Sequence, residues 1–366
     1  MLKPQKIYLE ASTLCSLSCP LCPTANGKTI KTLGRGYLKF KTFKKIVDDN
    51  PGVYSIELSN WGEVFLNKEL NKIMEYAFAS GIALSAGNGS NMNNLDEDII
   101  KALVKYRFRK ITCSIDGATN ETYKAYRVNG DFDKVISTIK KINKVKARYR
   151  SFLPILHWRF IIFGHNAHEV GKAREMAKKL NMTFSTKLSW DDLYSRSFSN
   201  GENIEKIRHE SGLLVASRKE YLEKYEREYN SACCLPLWIS PYINYDGRML
   251  GCSINYWSDF GSVLRKGITG CFNGRKINIA RNMLLGKYKE DNDIPCARCK
   301  FYKKRKERKN WIRKKSTRNI YIGNRTVIKI QNKLIKYGLV NDLARFAYRV
   351  KRWIKEKRTE KNGIKK

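Results

Sequence analysis

Five times in the first 190 residues a short apolar run with strand character gives way to a segment with helical spacing, a sixth such run follows, and no other feature limits the fold so strongly. "KIYLEAS" reads as the first strand. A cysteine-bearing loop follows, and "LKFKTFKKIVDD" then places Phe40, Phe43, Ile46 and Val47 on one side of a helix. "VYSIELS" is the second strand, and the helix "NKELNKIMEYAFAS" after it is ended by Gly81. "IALSAGN" leads to "LDEDIIKALVKY", and "KITCSIDG" leads to a helical region from Glu121 to about Arg148, interrupted near Asn129 and Gly130. "ILHWRFIIF" precedes a helix from His168 to Leu180, and "TFSTKLS" is the sixth strand. Strands separated by helices are expected to lie parallel with the helices outside. Functional residues then gather where strands end and loops begin.

The second half reads differently. Residues 190–232 are polar and weakly periodic, a connector ending in a helix such as "RKEYLEKYEREY". "LWISPYINYDGRMLGCS" predicts two short strands around a turn at Asp246 and Gly247. The expected organisation is an α/β unit over 1–190, a connector over 191–232, a small cysteine-rich domain over 233–300 and a basic helical tail over 301–366.

With 42% hydrophobic and 11% aromatic residues, the 366-residue chain can build a large core, which excludes a disordered class. No window approaches about 18 consecutive apolar residues and the first 14 form no apolar block. A cytoplasmic protein is expected, with a peripheral place at the inner membrane face open to it. The formal net charge is +38, and residues 300–366 carry 25 Lys or Arg against 4 Asp or Glu. "KKRKERKNWIRKKS" is a dense basic run, and Leu343, Phe346, Ala347, Val350 and Ile354 form an apolar stripe beside Trp353. Such a tail suits an anionic membrane surface, or a phosphate-rich ligand including nucleic acid; a solubilising extension is the plainer reading.

In a reducing compartment, clustered cysteines bind metal or do redox chemistry more often than they form disulfides. Of ten cysteines, Cys15, Cys19 and Cys22 lie together in "CSLSCPLC", and Cys234, Cys252, Cys296 and Cys299 form a second set. Cys113 reads as a small buried strand residue, Cys271 as a bystander, and Cys233 competes with its neighbour Cys234. The first trio has no fourth thiol or histidine nearby, whereas structural zinc usually closes with four protein ligands.

The C-x3-C-x2-C loop directly after a first strand resembles the cluster loop of the radical S-adenosylmethionine superfamily. The resemblance implies a partial (β/α)6 TIM-type barrel and a [4Fe-4S] cluster on Cys15, Cys19 and Cys22. Its open iron would bind S-adenosylmethionine, which one-electron transfer splits to a 5′-deoxyadenosyl radical that abstracts hydrogen from substrate. Further motifs follow successive strands in the family's order. Gly62 and Glu63 in "NWGEVF" match the stretch that takes the methionine amino group, and Asn88 lies in the glycine-rich "GNGS". Ser114 and Asp116 in "CSIDG" face the ribose or carboxylate end, and Asn166 and Glu169 in "FGHNAHE" the adenosine side. Leu21 would cover the adenine and Arg127 reach the carboxylate.

The arrangement C-x12-G-x4-C followed by C-x2-C, from Cys234 to Cys299 through Gly247, resembles the single-cluster twitch form of the SPASM domain. It implies one auxiliary [4Fe-4S] cluster; zinc is the alternative for these four thiols. Within the subgroup, a closed auxiliary cluster suits oxidation of a sugar, amino-sugar or other polyol, with flavodoxin or ferredoxin as electron donor. Peptide-modifying relatives commonly place a leader-binding domain before the loop, where this sequence has 14 residues. Sulfatase-maturing relatives carry an aspartate where this sequence has Ser253. Asp259, Tyr245 and Arg159 are open candidates for the base. A peptide-modifying radical enzyme and a metal-stabilised nucleic-acid-binding or RNA-modifying protein are the alternatives.

Overall fold

The computed structural model describes residues 1–190 and 201–313. The apolar stripe expected over 341–355 lies outside the described residues. Strands β1 (Lys6–Leu9), β2 (Ser55–Glu57), β3 (Ala83–Ser90), β4 (Lys110–Ser114), β5 (Ile155–Ile162) and β6 (Thr183–Leu188) pair in chain order, every pair parallel. A seventh strand, β7 (Tyr242–Ile243), adds in parallel to the other side of β1, with Tyr8 opposite Tyr242 and Leu9 opposite Ile243. The order β6-β5-β4-β3-β2-β1-β7 leaves the sheet open, as a partial TIM-type barrel requires.

Period-two alternation separates the two faces of the strands. Along β5, Leu156, Trp158, Phe160 and Ile162 are buried in the core, while His157, Arg159 and Ile161 occupy the other face. The inner face is polar where neighbours meet. His157 bonds Thr183 Oγ1 and Ser185 Oγ, each at 2.8 Å, and the buried Glu57 accepts from Ser59 Oγ at 2.7 Å and Ser85 Oγ at 2.6 Å.

Helices α1 (Ile30–Leu33), α2 (Phe40–Asp48), α3 (Leu70–Ala79), α4 (Glu97–Lys105), α5 (Asn120–Tyr126), α6 (Phe132–Arg148) and α7 (Val170–Lys179) fill the crossovers. Phe43, Ile46 and Val47 of α2 are buried and Phe40 packs beside them, as their spacing predicts. Side-chain caps set the starts of three helices: Asp96 accepts from Ile99 N at 2.7 Å, Thr119 from Thr122 N at 3.3 Å and Asp131 from Lys134 N at 3.0 Å. Asn129, at φ 66°, breaks α5 from α6 where the sequence indicates an interruption.

Beyond the sheet come α8 (Gly201–Glu210), α9 (Arg218–Tyr225), α10 (Pro236–Ile239), α11 (Val263–Phe272), α12 (Arg275–Leu284) and α13 (Lys300–Glu307). Helix α11 packs on α2. Tyr302 and Ile312 are buried, so the chain just past Cys299 also belongs to this packed region. No helix among the described residues is long and apolar enough to cross a membrane.

"GNGS" ends β3, as its place in the sequence suggests, with a register shift between Ala86 and Ser90. One local expectation is revised. The hairpin keeps its turn, with Gly247 N donating to Asn244 O at 2.9 Å, but "LWIS" forms α10. Pro236 sits in the first helical turn, where its missing N–H costs nothing and its φ is already helical, which favours the helix over a strand there. The returning half is reduced to a bridge between Ile243 and Met249.

Trp158 is fully buried and donates from Nε1 to Ile115 O at 2.8 Å. Trp158→Ala is expected to cost about 3–5 kcal/mol, seen as a lower denaturant midpoint by circular dichroism.

Candidate active site

The loops at the carboxyl ends of the parallel strands surround a cavity of about 1000 Å³. Glu10, buried at the end of β1, accepts from Trp61 N at 2.9 Å and Gly62 N at 3.3 Å, tying the loop after β2 to the start of the cysteine loop. A Cβ on Gly62 would lie 2.0 Å from Ser12 O and 2.8 Å from Leu14 O, so only glycine lets these loops touch. Glu63 N then donates to Leu14 O at 2.7 Å. The Glu63 carboxylate is buried and accepts from Ser90 Oγ at 2.7 Å, Asn91 N at 2.6 Å and Phe65 N at 3.2 Å. Burial pushes its pKa up against those bonds.

Cys15, Cys19 and Cys22 all face this cavity. Asn91 Nδ2 lies 3.7 Å from Cys15 Sγ, and Arg127 Nη1 lies 3.6 Å from Cys19 Sγ. Burial, with Glu63 and the other two cysteines nearby, pushes the Cys15 thiol up to about 11. Burial also raises Cys19, with Arg127 opposing it. Asn60 Nδ2 and Trp61 Nε1 line the same space and are buried without a hydrogen-bond partner among the described residues. Three thiols around one opening, beside orphaned donors, fit a thiolate-bound cluster that offers acceptor atoms. Among the described residues no three His, Cys, Asp or Glu side chains stand close enough to hold a single metal ion.

Of the nine residues expected to contact S-adenosylmethionine, Leu21, Gly62, Glu63, Asn88, Ser114 and Arg127 line the cavity. Asp116, Asn166 and Glu169 are buried outside its lining. Asp116 Oδ2 accepts from Arg127 Nε at 2.7 Å and Nη2 at 2.6 Å, and its Oδ1 accepts from Ile161 N at 2.7 Å. Burial works against the Arg127 charge, yet Asp116 and Cys19 hold the guanidinium well above its ordinary pKa. Asn166 Nδ2 donates to Asp116 O and Ile161 O, and Glu169 Oε2 accepts from Ala118 N at 2.6 Å. This buried layer shapes the ends of β4 and β5. Of the three base candidates only Arg159 reaches the cavity, donating to Asn88 O at 2.8 Å and Gly87 O at 2.9 Å. Tyr245 packs against Gly34 and Gly36, and Asp259 accepts from Gly261 N.

The second cysteine set also converges. Cys233 and Cys234 sulfurs lie 3.8 Å apart, and Cys252, Cys296 and Cys299 sit within electrostatic reach of Cys234. The Cys233 hydrogen bond and the Arg305 guanidinium favour the Cys234 thiolate. Burial and Cys234 push Cys252 up to about 12. Cys113 and Cys271 are core residues, and all ten cysteines are free thiols.

Sequence reasoning missed Lys187, Trp190 and Tyr229, which form the cavity wall beyond β5 and β6. Lys187 stands at the end of a strand, as the residues singled out after β2 to β5 do, so the strand-end rule extended to β6 finds it. Asn91, one residue past "GNGS", was missed by the same margin.

No protein-family model and no curated protein matches the chain. Solved structures do share its fold. Streptococcus suis SuiB bound to S-adenosylmethionine aligns over 82% of this chain and 71% of its own, at 13% identity and a TM-score of 0.57. SuiB in a second crystal structure gives 0.56 at 13% identity, over 75% of this chain and 66% of its own. The native anSMEcpe structure with bound AdoMet gives 0.55 at 16% identity, over 82% of this chain and 87% of its own. At these identities the likeness is one of fold.

Two measurements check the loop contact. Gly62→Ala is expected to lower iron bound after reconstitution at least threefold while the far-ultraviolet spectrum is kept. Burial, opposed by Trp61, Gly62 and Asn60 N–H groups, pushes Glu10 from 4.5 up to about 8. Its folded pKa exceeds the unfolded one, so its contribution to stability is complete below pH 4.5 and lost as pH rises through 8. Melting temperature should fall over that window, and Glu10→Gln should flatten the slope.

Proposed function

We propose that the chain is a radical S-adenosylmethionine enzyme that oxidises a small hydroxylated substrate, a sugar, amino-sugar or other polyol. The observation that carries the reading is the single cavity shared by Cys15, Cys19, Cys22 and the Gly62–Glu63 turn at the carboxyl ends of a parallel sheet. The fold shared with SuiB bound to S-adenosylmethionine and with anSMEcpe with bound AdoMet supports it. A four-iron cluster on the three thiolates, with S-adenosylmethionine at its remaining iron, supplies one-electron cleavage of the sulfonium and hydrogen-atom abstraction from substrate.

The chain's own groups divide the remaining work. Glu63, fixed by three hydrogen bonds, offers its carboxylate edge to the methionine ammonium. Arg127, oriented by Asp116, faces the carboxylate end and stands beside Cys19. Asn88 and Ser114 meet the ribose, and Leu21 covers the adenine. Asn166 and Glu169 support that wall from behind. Cys234, Cys252, Cys296 and Cys299 would hold an auxiliary four-iron cluster closed by protein ligands. Such a site keeps the substrate off its iron and suits electron transfer, with flavodoxin or ferredoxin as the reductant of the first cluster. Ser253 lines the cavity at the position where sulfatase-maturing relatives carry an aspartate, which favours a small molecule over a protein substrate. The basic tail would place the enzyme near an anionic surface.

Anaerobic reconstitution should give roughly eight irons per chain, and dithionite with S-adenosylmethionine should release 5′-deoxyadenosine. Cys15→Ala should abolish that release. Cys296→Ala should lose about half the iron and keep release above one-tenth of wild type. A protein that takes up zinc alone and never cleaves S-adenosylmethionine would refute the reading, and turnover of a peptide in place of a polyol would redirect it.

A further inference from the structure

The cavity walls are unequal in charge. Arg127, Arg159, Lys187, Arg298 and Lys300 line the space, and Glu63 is the one carboxylate among the described lining residues. Glu63 already accepts three hydrogen bonds, and Asp116 neutralises Arg127. Arg159 spends two donors on the backbone carbonyls of Gly87 and Asn88, which carry no net charge. Lys187 stands opposite Ile161 in the β5–β6 ladder, on the same face as Arg159. Its ammonium lies 5.6 Å from the Trp190 ring centroid and has neither carboxylate nor hydrogen-bond partner among the described residues.

A half-buried cation without a counter-ion is costly unless something bound supplies one. Two cations stand near Lys187. Arg159 comes from β5 and Arg218 from α9, the latter 4.3 Å from the Trp190 ring and 4.7 Å from the Tyr229 ring. Lys187 is on the β6 edge strand, opposite Ile161, which packs in the apolar cluster that also holds Leu17, Cys19, Leu21 and Cys22.

We propose that the substrate bears a phosphate group and that Lys187 and Arg159 hold it at the β5–β6 wall. This rests on the cavity being the substrate site of the enzyme read above. Trp190 and Tyr229 beside Lys187 give flat apolar faces for the sugar or base that carries the phosphate. Burial, then Arg159 and Arg218, press the Lys187 pKa down to about 8. An anion beside it reverses that pressure, so binding at pH 8.5 should draw a proton onto the protein.

The probes are inorganic pyrophosphate, glucose 1-phosphate, UDP-glucose and glucose, titrated calorimetrically into reconstituted enzyme with S-adenosylmethionine present. One site for pyrophosphate is expected, and at least one phosphate-bearing sugar should bind tenfold or more tighter than glucose. Glucose 1-phosphate against UDP-glucose separates a simple ester from a nucleotide sugar. Lys187→Gln and Lys187→Ala should each weaken pyrophosphate at least fivefold and abolish proton uptake at pH 8.5, while Lys187→Arg keeps the affinity. Release of 5′-deoxyadenosine without substrate should stay unchanged in all three variants. Equal pyrophosphate affinity in wild type and Lys187→Gln would overturn the proposal, because binding would then come from cations other than Lys187. Equal affinity for glucose and both phosphate-bearing sugars would overturn it as well. Loss of S-adenosylmethionine cleavage with Lys187-dependent phosphate binding intact would instead reject the radical reading and leave the anion site standing.

Discussion

Parallel pairing is the constraint on which the rest of the molecule depends. A parallel neighbour can be reached only by carrying the chain back across the sheet, so every crossover adds a covering helix and returns each new strand to the same end. Five such returns bring the loops after β1 to β6 to one rim without any contact between distant residues being needed first. The polar inner face follows from the same geometry. Alternate side chains must point away from the helices, and His157, Arg159, Ser185 and Lys187 occupy that side because Trp158, Phe160 and their neighbours fill the other.

Within this frame the rim is held by backbone proximity more than by side-chain contacts. Gly62 touches the carbonyls of Ser12 and Leu14, and Gly89, at φ +131°, leaves a Cβ position only 2.5 Å from Ser114 Oγ. Gly62 lets two strand-end loops approach as closely as their main chains allow, and Gly89 leaves room for the Ser114 side chain of the neighbouring strand. The buried carboxylates Glu10, Glu63 and Asp116 then act as anchors, each taking N–H groups from a neighbouring loop. Their burial is the electrostatic cost of a rim that is rigid where the cysteines emerge.

Much of this was legible in the sequence, and the misses share a cause. Hydrophobic periodicity marks each barrel strand and helix because it records burial, which is local and repetitive. The spacing of Cys15, Cys19 and Cys22 survives in the sequence because one loop supplies all three. The hairpin at "LWISPYINYDGRMLG" was half misread, since the pattern of a short apolar run is shared by strand and helix, and Pro236 just before it suits a helix start. Lys187, Trp190 and Tyr229 were missed because they come together from β6 and the chain beyond it; no periodicity links them. Asp116 shows what a motif alone does not carry: the fold buries it and sets it to accept from Arg127.

Strand β7 gives the cysteine-rich segment a mechanical tie to the barrel. Its ladder with β1 is reinforced by Tyr242 stacked on Tyr8 at 3.9 Å, and β1 runs directly into the loop that bears Cys15, Cys19 and Cys22. The two thiol sets are thus mounted on adjacent rails of one sheet. A swing of the second set away from the first would have to unzip main-chain hydrogen bonds, so the path between them has a length set by strand geometry and is not tuned by a hinge.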